Sequence, residues 1–282
     1  MRIKLFCLLI GLFPAMAQAA IVDLDMRPGI RASAEYLVGD RSKPAVLLLH
    51  GFLLTREFRT VAALGSSLHD AGYTVLLPTL SLNIPNRKQS LACEAIHAHS
   101  MEEDIAEITR WVGWLKSRGH QRIVLFGHSF GSLQLLAYLN DHPDAAVKAY
   151  IGTSLIETRI ASASRGTLIA QLKDRIQRKQ TALVTQTLSL CSKYAAPPED
   201  MLSYIVWDQA RTLNAVKAVP VPMQLIMGDA DKMIGRNWVQ ALQHIHAPMI
   251  NVQGANHFMD AEHEFDLLEH TLNFLQTLPA SR

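Results

Sequence analysis

Ile123-Val124-Leu125-Phe126-Gly127-His128-Ser129-Phe130-Gly131-Ser132-Leu133-Gln134-Leu135-Leu136-Ala137-Tyr138-Leu139 is the stretch that decides the fold. Its first four residues form a continuous apolar run, as expected of a strand buried on both faces. From Ser132 onward the spacing is helical. Between the two lies Gly-x-Ser-x-Gly. A chain that passes from strand to helix over so few residues holds its serine at strained backbone angles, and only glycine leaves room on either side. A serine hydroxyl is a weak nucleophile, so the same stretch asks for a base to take its proton and a third group to orient that base.

Working outward, similar apolar runs recur at 45–49, 73–77, 149–151, 223–227 and 249–252, separated by longer segments. This alternation predicts an α/β fold with a doubly wound, mainly parallel sheet covered by helices on both faces. Met101 to Leu115 carries acidic residues in its first turn and apolar residues at Ile105, Ile108, Val112 and Leu115, the spacing of an amphipathic helix. Residues 81–100 contain Pro85 among mixed polar residues and read as an irregular loop. The run at 223–227 leads into Gly228-Asp229-Ala230-Asp231, and the run at 249–252 into Gln253-Gly254-Ala255-Asn256-His257. Serine, carboxylates and histidine therefore all follow the carboxyl ends of strands, where open α/β sheets build their sites.

With these residues in hand, the chain resembles the α/β-hydrolase family over nearly all of its length beyond the first 19 residues. The family's order of nucleophile, acid and histidine is matched by Ser129, Asp231 and His257. Its oxyanion loop commonly reads His-Gly-x after an early strand, and His50-Gly51-Phe52 follows the run at 45–49. The family's acid often follows Gly-x-x-Asp, which favours Asp231 over Asp229. The resemblance implies acyl transfer by Ser129, His257 and Asp231, with backbone N–H groups of Phe52 and Phe130 as the oxyanion hole. It also implies a small-molecule acyl ester as substrate, no cofactor and no metal. Peptidase, thioesterase, C–C hydrolase and acyltransferase are alternatives on the same triad. A non-catalytic binding module would be expected to lack a triad member. Ser129 argues against haloalkane dehalogenases and epoxide hydrolases, which use aspartate at that position. The region after Leu49 lacks Gly-x-Gly-x-x-Gly, which argues against dinucleotide chemistry.

Residues 154–220 are too long for an ordinary strand-to-strand connection. Leu168, Leu172 and Ile176 give them at least one amphipathic helix, and the resemblance makes them a helical cap inserted between core segments 20–153 and 221–282. The insertion holds nine Lys/Arg and five Asp/Glu. Solvated helix faces account for that excess without a partner, and contact with an anionic membrane surface is the functional alternative. His97 with His99, and His244 with His246, form two His-x-His pairs, too few ligands for a metal site on their own.

The N-terminus reads Met1-Arg2-Ile3-Lys4, then an apolar stretch over 5–16, then Ala17-Gln18-Ala19. This is the pattern of a cleaved signal peptide over 1–19, and it predicts a secreted or periplasmic protein. The apolar stretch contains Pro14 and falls short of the ~20 residues a spanning helix needs. Cleavage leaves Cys93 and Cys191 in an oxidising compartment, so one disulfide between them is expected. The whole chain has 27 Lys+Arg against 25 Asp+Glu, 49% hydrophobic and 18% charged residues. That composition is globular, and the charge gives no general case for nucleic acid as a partner.

Overall fold

The computed structural model of the chain describes residues 19–160 and 165–279, so the segment read as a signal peptide lies outside the described residues apart from Ala19. The first part of the chain forms β1 (Ala20–Arg27), β2 (Ile30–Leu37), β3 (Ala45–Leu49), α1 (Arg59–Asp70), β4 (Thr74–Thr79) and α2 (Met101–Ser117). β5 (Ile123–His128), α3 (Phe130–Asp141) and β6 (Val147–Thr153) follow. Between β6 and the next strand of the main sheet come α4 (Arg165–Gln177), β7 (Val184–Leu188), β8 (Cys191–Ala196), α5 (Pro198–Ile205) and α6 (Gln209–Ala218). The chain closes with β9 (Met223–Gly228), α7 (Arg236–His244), β10 (Met249–Val252) and α8 (His263–Thr277).

Eight strands form one sheet in the order β1-β2-β4-β3-β5-β6-β9-β10. From β4 to β10 every neighbouring pair is parallel, while β2 pairs antiparallel with both β1 and β4. The apolar runs become strands because both faces of the sheet are covered. In β3, Leu47 and Leu49 join the core that holds α2, α3 and the inserted segment, whereas Val46 and Leu48 join the core beneath α1 and α8. All five residues of β3 are buried, so no face is left for polar residues and the strand does not alternate. This is the α/β architecture expected from the alternation.

Two features go beyond the sequence reading. β1 and β2 add an antiparallel edge hairpin, in which Val22, Leu24 and Met26 point inward while Asp23 and Asp25 stay exposed. The insertion, expected to be helical, also contains the antiparallel β7–β8 hairpin beside its helices. Residues 81–100 carry no regular element among the described residues, and they are pinned at both ends. Ser81 donates its N–H to Glu107 at 2.8 Å. Ser100 caps α2 reciprocally, its Oγ accepting from the Glu103 N–H and its own N–H donating to the Glu103 carboxylate, both at 3.1 Å. Cys93 in this loop and Cys191 at the start of β8 are joined by a disulfide, their Cα atoms 5.3 Å apart.

Candidate active site

Ser129 sits between β5 and α3 with φ 55° and ψ −121°, in the left-handed region that a side chain ordinarily avoids. Close packing holds it there. A Cβ on Gly131 would come within 2.2 Å of the His50 carbonyl oxygen, and one on Gly127 within 2.5 Å of the Ser132 nitrogen. The Ser129 N–H donates to the Thr153 carbonyl at 2.8 Å, and the Ser132 hydroxyl donates to Gly127 O at 2.6 Å, which ties the turn to β5 and β6.

The loops beyond β9 and β10 bring the other two groups to this serine. His257 Nδ1 lies 2.7 Å from Asp231 Oδ2, and His257 Nε2 lies 2.7 Å from Ser129 Oγ. A carboxylate only accepts, so Nδ1 carries the proton and Nε2 offers its lone pair to the serine hydroxyl. The second Asp231 oxygen accepts the N–H groups of Met233 (2.8 Å) and Ile234 (3.3 Å), which fixes the orientation of the carboxylate. Ser129 and His257 are each 2% exposed. Asp229, the competing carboxylate, makes no hydrogen bond to the histidine among the described residues and instead accepts the Gly254 N–H at 2.7 Å. The His257 carbonyl accepts from His128 Nε2 (3.0 Å) and Ser154 Oγ (2.8 Å), so the loop bearing the histidine is anchored to the end of β5 and the residue after β6.

The loop after β3 is ordered by His50. The Leu80 N–H donates to His50 Nε2 at 3.1 Å, so Nδ1 carries the hydrogen and donates to Gly51 O at 2.9 Å. The next residues make a turn in which the Leu54 N–H reaches Gly51 O at 3.2 Å and Leu53 has φ 58°. Among the described residues, the N–H groups of Phe52 and Phe130 donate to no acceptor. Burial pulls His50 down to about 3 and His128 down to about 4, so both rings are neutral at neutral pH and neither is a second base.

One residue absent from the sequence reading holds this loop in place. Arg87 is 4% exposed, and its guanidinium donates to four carbonyls: Leu80 (2.8 Å), Gln89 (2.8 Å), Leu54 (2.7 Å) and Leu53 (3.4 Å). Burial lowers its pKa to about 10, with Asp104 and Glu107 opposing, so it remains charged at neutral pH. Nothing in the polar segment around Arg87 marks it, since it acts through distant backbone oxygens and not through a local motif. The two His-x-His pairs separate: His244 and His246 are exposed, whereas His97 and His99 are buried. Among the described residues no group of three or more His, Cys, Asp or Glu side chains could hold a metal ion.

The comparisons with known proteins agree with this architecture. The structure resembles Est1E from Butyrivibrio proteoclasticus at 18% identity and a TM-score of 0.62, over 92% of this chain and 99% of that one. The thioesterase domain from the curacin biosynthetic pathway gives the same identity, coverage and TM-score. The esterase Pf2001 of Pyrococcus furiosus is 16% identical with a TM-score of 0.61, over 93% of this chain and 91% of its own. At these identities the likeness is one of fold. No curated protein matches the chain. Residues 46–269 match the model of the alpha/beta hydrolase family, a stretch that runs from β3 into α8 and contains Ser129, Asp231 and His257. The chain belongs to the alpha/beta hydrolase family.

Proposed function

We propose that the protein is an exported serine hydrolase that cleaves carboxylic esters through an acyl-enzyme intermediate. The observation that carries the reading is the unbroken chain of hydrogen bonds from Ser129 through His257 to Asp231, 2.7 Å at each step. In the first half-reaction His257 Nε2 takes the Ser129 proton as Oγ attacks the ester carbonyl carbon. Asp231 holds the imidazole and stabilises its charged form. The carbonyl oxygen becomes an oxyanion, and the unengaged N–H groups of Phe52 and Phe130 are its donors. One such donor typically contributes ~3 kcal/mol to the transition state. The imidazolium then protonates the departing alcohol. In the second half-reaction the same base activates water, which attacks the acyl carbon and restores Ser129.

Export rests on the signal-like sequence of residues 1–19, and the Cys93–Cys191 disulfide is consistent with an oxidising compartment. Thioesters react at the same triad by the same steps, and one similar structure is a thioesterase domain. A chain-length series of p-nitrophenyl esters, run beside acyl-thioesters with Ser129→Ala as control, tests the reading. Ester turnover that disappears in the variant is the expected result. Thioester turnover without ester turnover would move the assignment to a thioesterase, and turnover that survives Ser129→Ala would remove the serine from the chemistry.

A further inference from the structure

A buried polar cluster that the triad does not use lies where the inserted segment meets loop 81–100. Tyr194 (β8) and Tyr204 (α5) come from the insertion, His97 and His99 from the loop, and all four are at most 2% exposed. The His97 and Tyr194 rings stack at 4.1 Å with an interplanar angle of 3°. Tyr194 in turn lies against the Phe52 ring at 5.8 Å, and Tyr204 stands 5.7 Å from the Phe130 ring. The cluster therefore abuts the side chains of the two residues whose N–H groups are assigned to the oxyanion.

The proton positions follow from the chemistry of the partners. Asp104 Oδ2 accepts from Gln134 Nε2 at 2.7 Å and from the Tyr204 hydroxyl. With the phenol proton engaged there, the Tyr204 oxygen accepts from His99 Nδ1 at 2.7 Å. His99 Nδ1 also lies 3.5 Å from Asp104 Oδ1. His97 Nε2 faces the Cys93 carbonyl at 3.3 Å and must carry its hydrogen, which leaves Nδ1 bare. Burial, the largest influence on His97, favours this neutral form. His97 Nδ1, His99 Nε2 and the Tyr194 hydroxyl are all buried and have no hydrogen-bond partner among the described residues. Buried polar atoms are ordinarily satisfied, so three unpaired ones on neighbouring rings beside the reaction centre call for a ligand.

We propose that His97, His99 and Tyr194 form a subsite that binds a hydroxyl group of the substrate, and so select hydroxylated esters. The proposal rests on the serine-hydrolase reading. His97 Nδ1 needs a hydrogen-bond donor, and the Tyr194 hydroxyl gives or takes one. An alcohol or phenol hydroxyl can give its one hydrogen and accept another, whereas a carboxylate can only accept. The disulfide sets the geometry: Cys93 is four residues from His97, and Cys191 three from Tyr194. The His97 N–H also donates to the Ala195 carbonyl at 2.8 Å, which holds loop and hairpin in register under the stacked rings.

The test uses ester pairs that differ by one hydroxyl. On the acyl side these are p-nitrophenyl 3-hydroxybutyrate against butyrate, and methyl 4-hydroxycinnamate against cinnamate. On the alcohol side the pair is glyceryl against propyl butyrate. In at least one arm kcat/KM should favour the hydroxylated ester by roughly 100-fold, because the ester without it leaves the buried groups unpaired. Tyr194→Phe removes one oxygen and His97→Phe keeps a ring in the stack, and each should bring the ratio to within about threefold of unity. Circular dichroism establishes that both variants are folded. A ratio near one in every arm of an active wild-type enzyme overturns the subsite and leaves the hydrolase reading intact, as does a preference that both variants retain. Failure to turn over any ester, with Ser129 unreactive towards a fluorophosphonate, overturns the hydrolase reading and the subsite together.

Discussion

Ser129 holds its place in the turn between β5 and α3 at a positive φ, and its close-packed neighbours keep it there. Gly131 has a defined share: the approach of the His50 carbonyl leaves no space for a methyl group. Gly131→Ala should therefore destabilise the fold by at least ~2 kcal/mol, read as a lower denaturation midpoint in urea. Asp229 and Asp231 differ in partner, one on the Gly254 N–H and the other on the His257 ring. Asp231→Asn should lower kcat roughly 10³- to 10⁴-fold by releasing the imidazole from its tautomer, while Asp229→Asn should keep most of its turnover. A loss confined to Asp229→Asn would mean that the carboxylate next to the histidine is not the one that matters. The three side chains and the His50-Gly51-Phe52 loop were legible in the sequence because each has a fixed relation to a strand end. Arg87 was not, because its four acceptors are backbone oxygens brought together only by folding.

At the level of elements, buried parallel strands announce themselves as apolar runs, and 45–49 and 249–252 match β3 and β10 at both ends. β1 has no such run, and its Val22, Leu24 and Met26 alternate with Asp23, Asp25 and Arg27. Its signal has period two, suited to an edge with one wet face, and not the continuous run of a central strand. β7 and β8 are short and lack a continuous apolar run, and are held by pairing within the insertion and by the bond to loop 81–100. That bond closes a loop 98 residues long in the unfolded chain. Replacing both cysteines by alanine should cost about 2–4 kcal/mol, measured by thermal denaturation. A variant with unchanged melting temperature would show that the hairpin and loop hold together without it.

For the whole molecule, Arg2 and Lys4 are the only charged residues in 1–19, so the rest of the chain has 25 basic and 25 acidic side chains. The insertion carries four more basic than acidic residues, and the core is correspondingly acidic. Acid should unfold the protein through the two buried imidazoles. His50 and His128 titrate near 6.5 when unfolded and at about 3 and about 4 when folded, so between these values the unfolded chain binds more protons. Their contribution is present at pH 7 and is lost as pH falls from about 6.5, roughly 3 kcal/mol or more for each ring. Asp200, held up to about 6 by burial and then by Glu103, acts in the opposite direction but is displaced less. Urea midpoints at pH 7, 5.5 and 4.5 should fall steadily, and a flat profile would contradict the neutral, buried state of both rings. The claim on which the rest depends is that Ser129 is an activated nucleophile in the folded protein. Intact-mass and peptide mapping after treatment with a fluorophosphonate test it directly. One adduct per chain is expected, on the peptide containing Ser129 and absent from Ser129→Ala and from denatured protein; no adduct, or one on another residue, would mean that Ser129 is not the nucleophile.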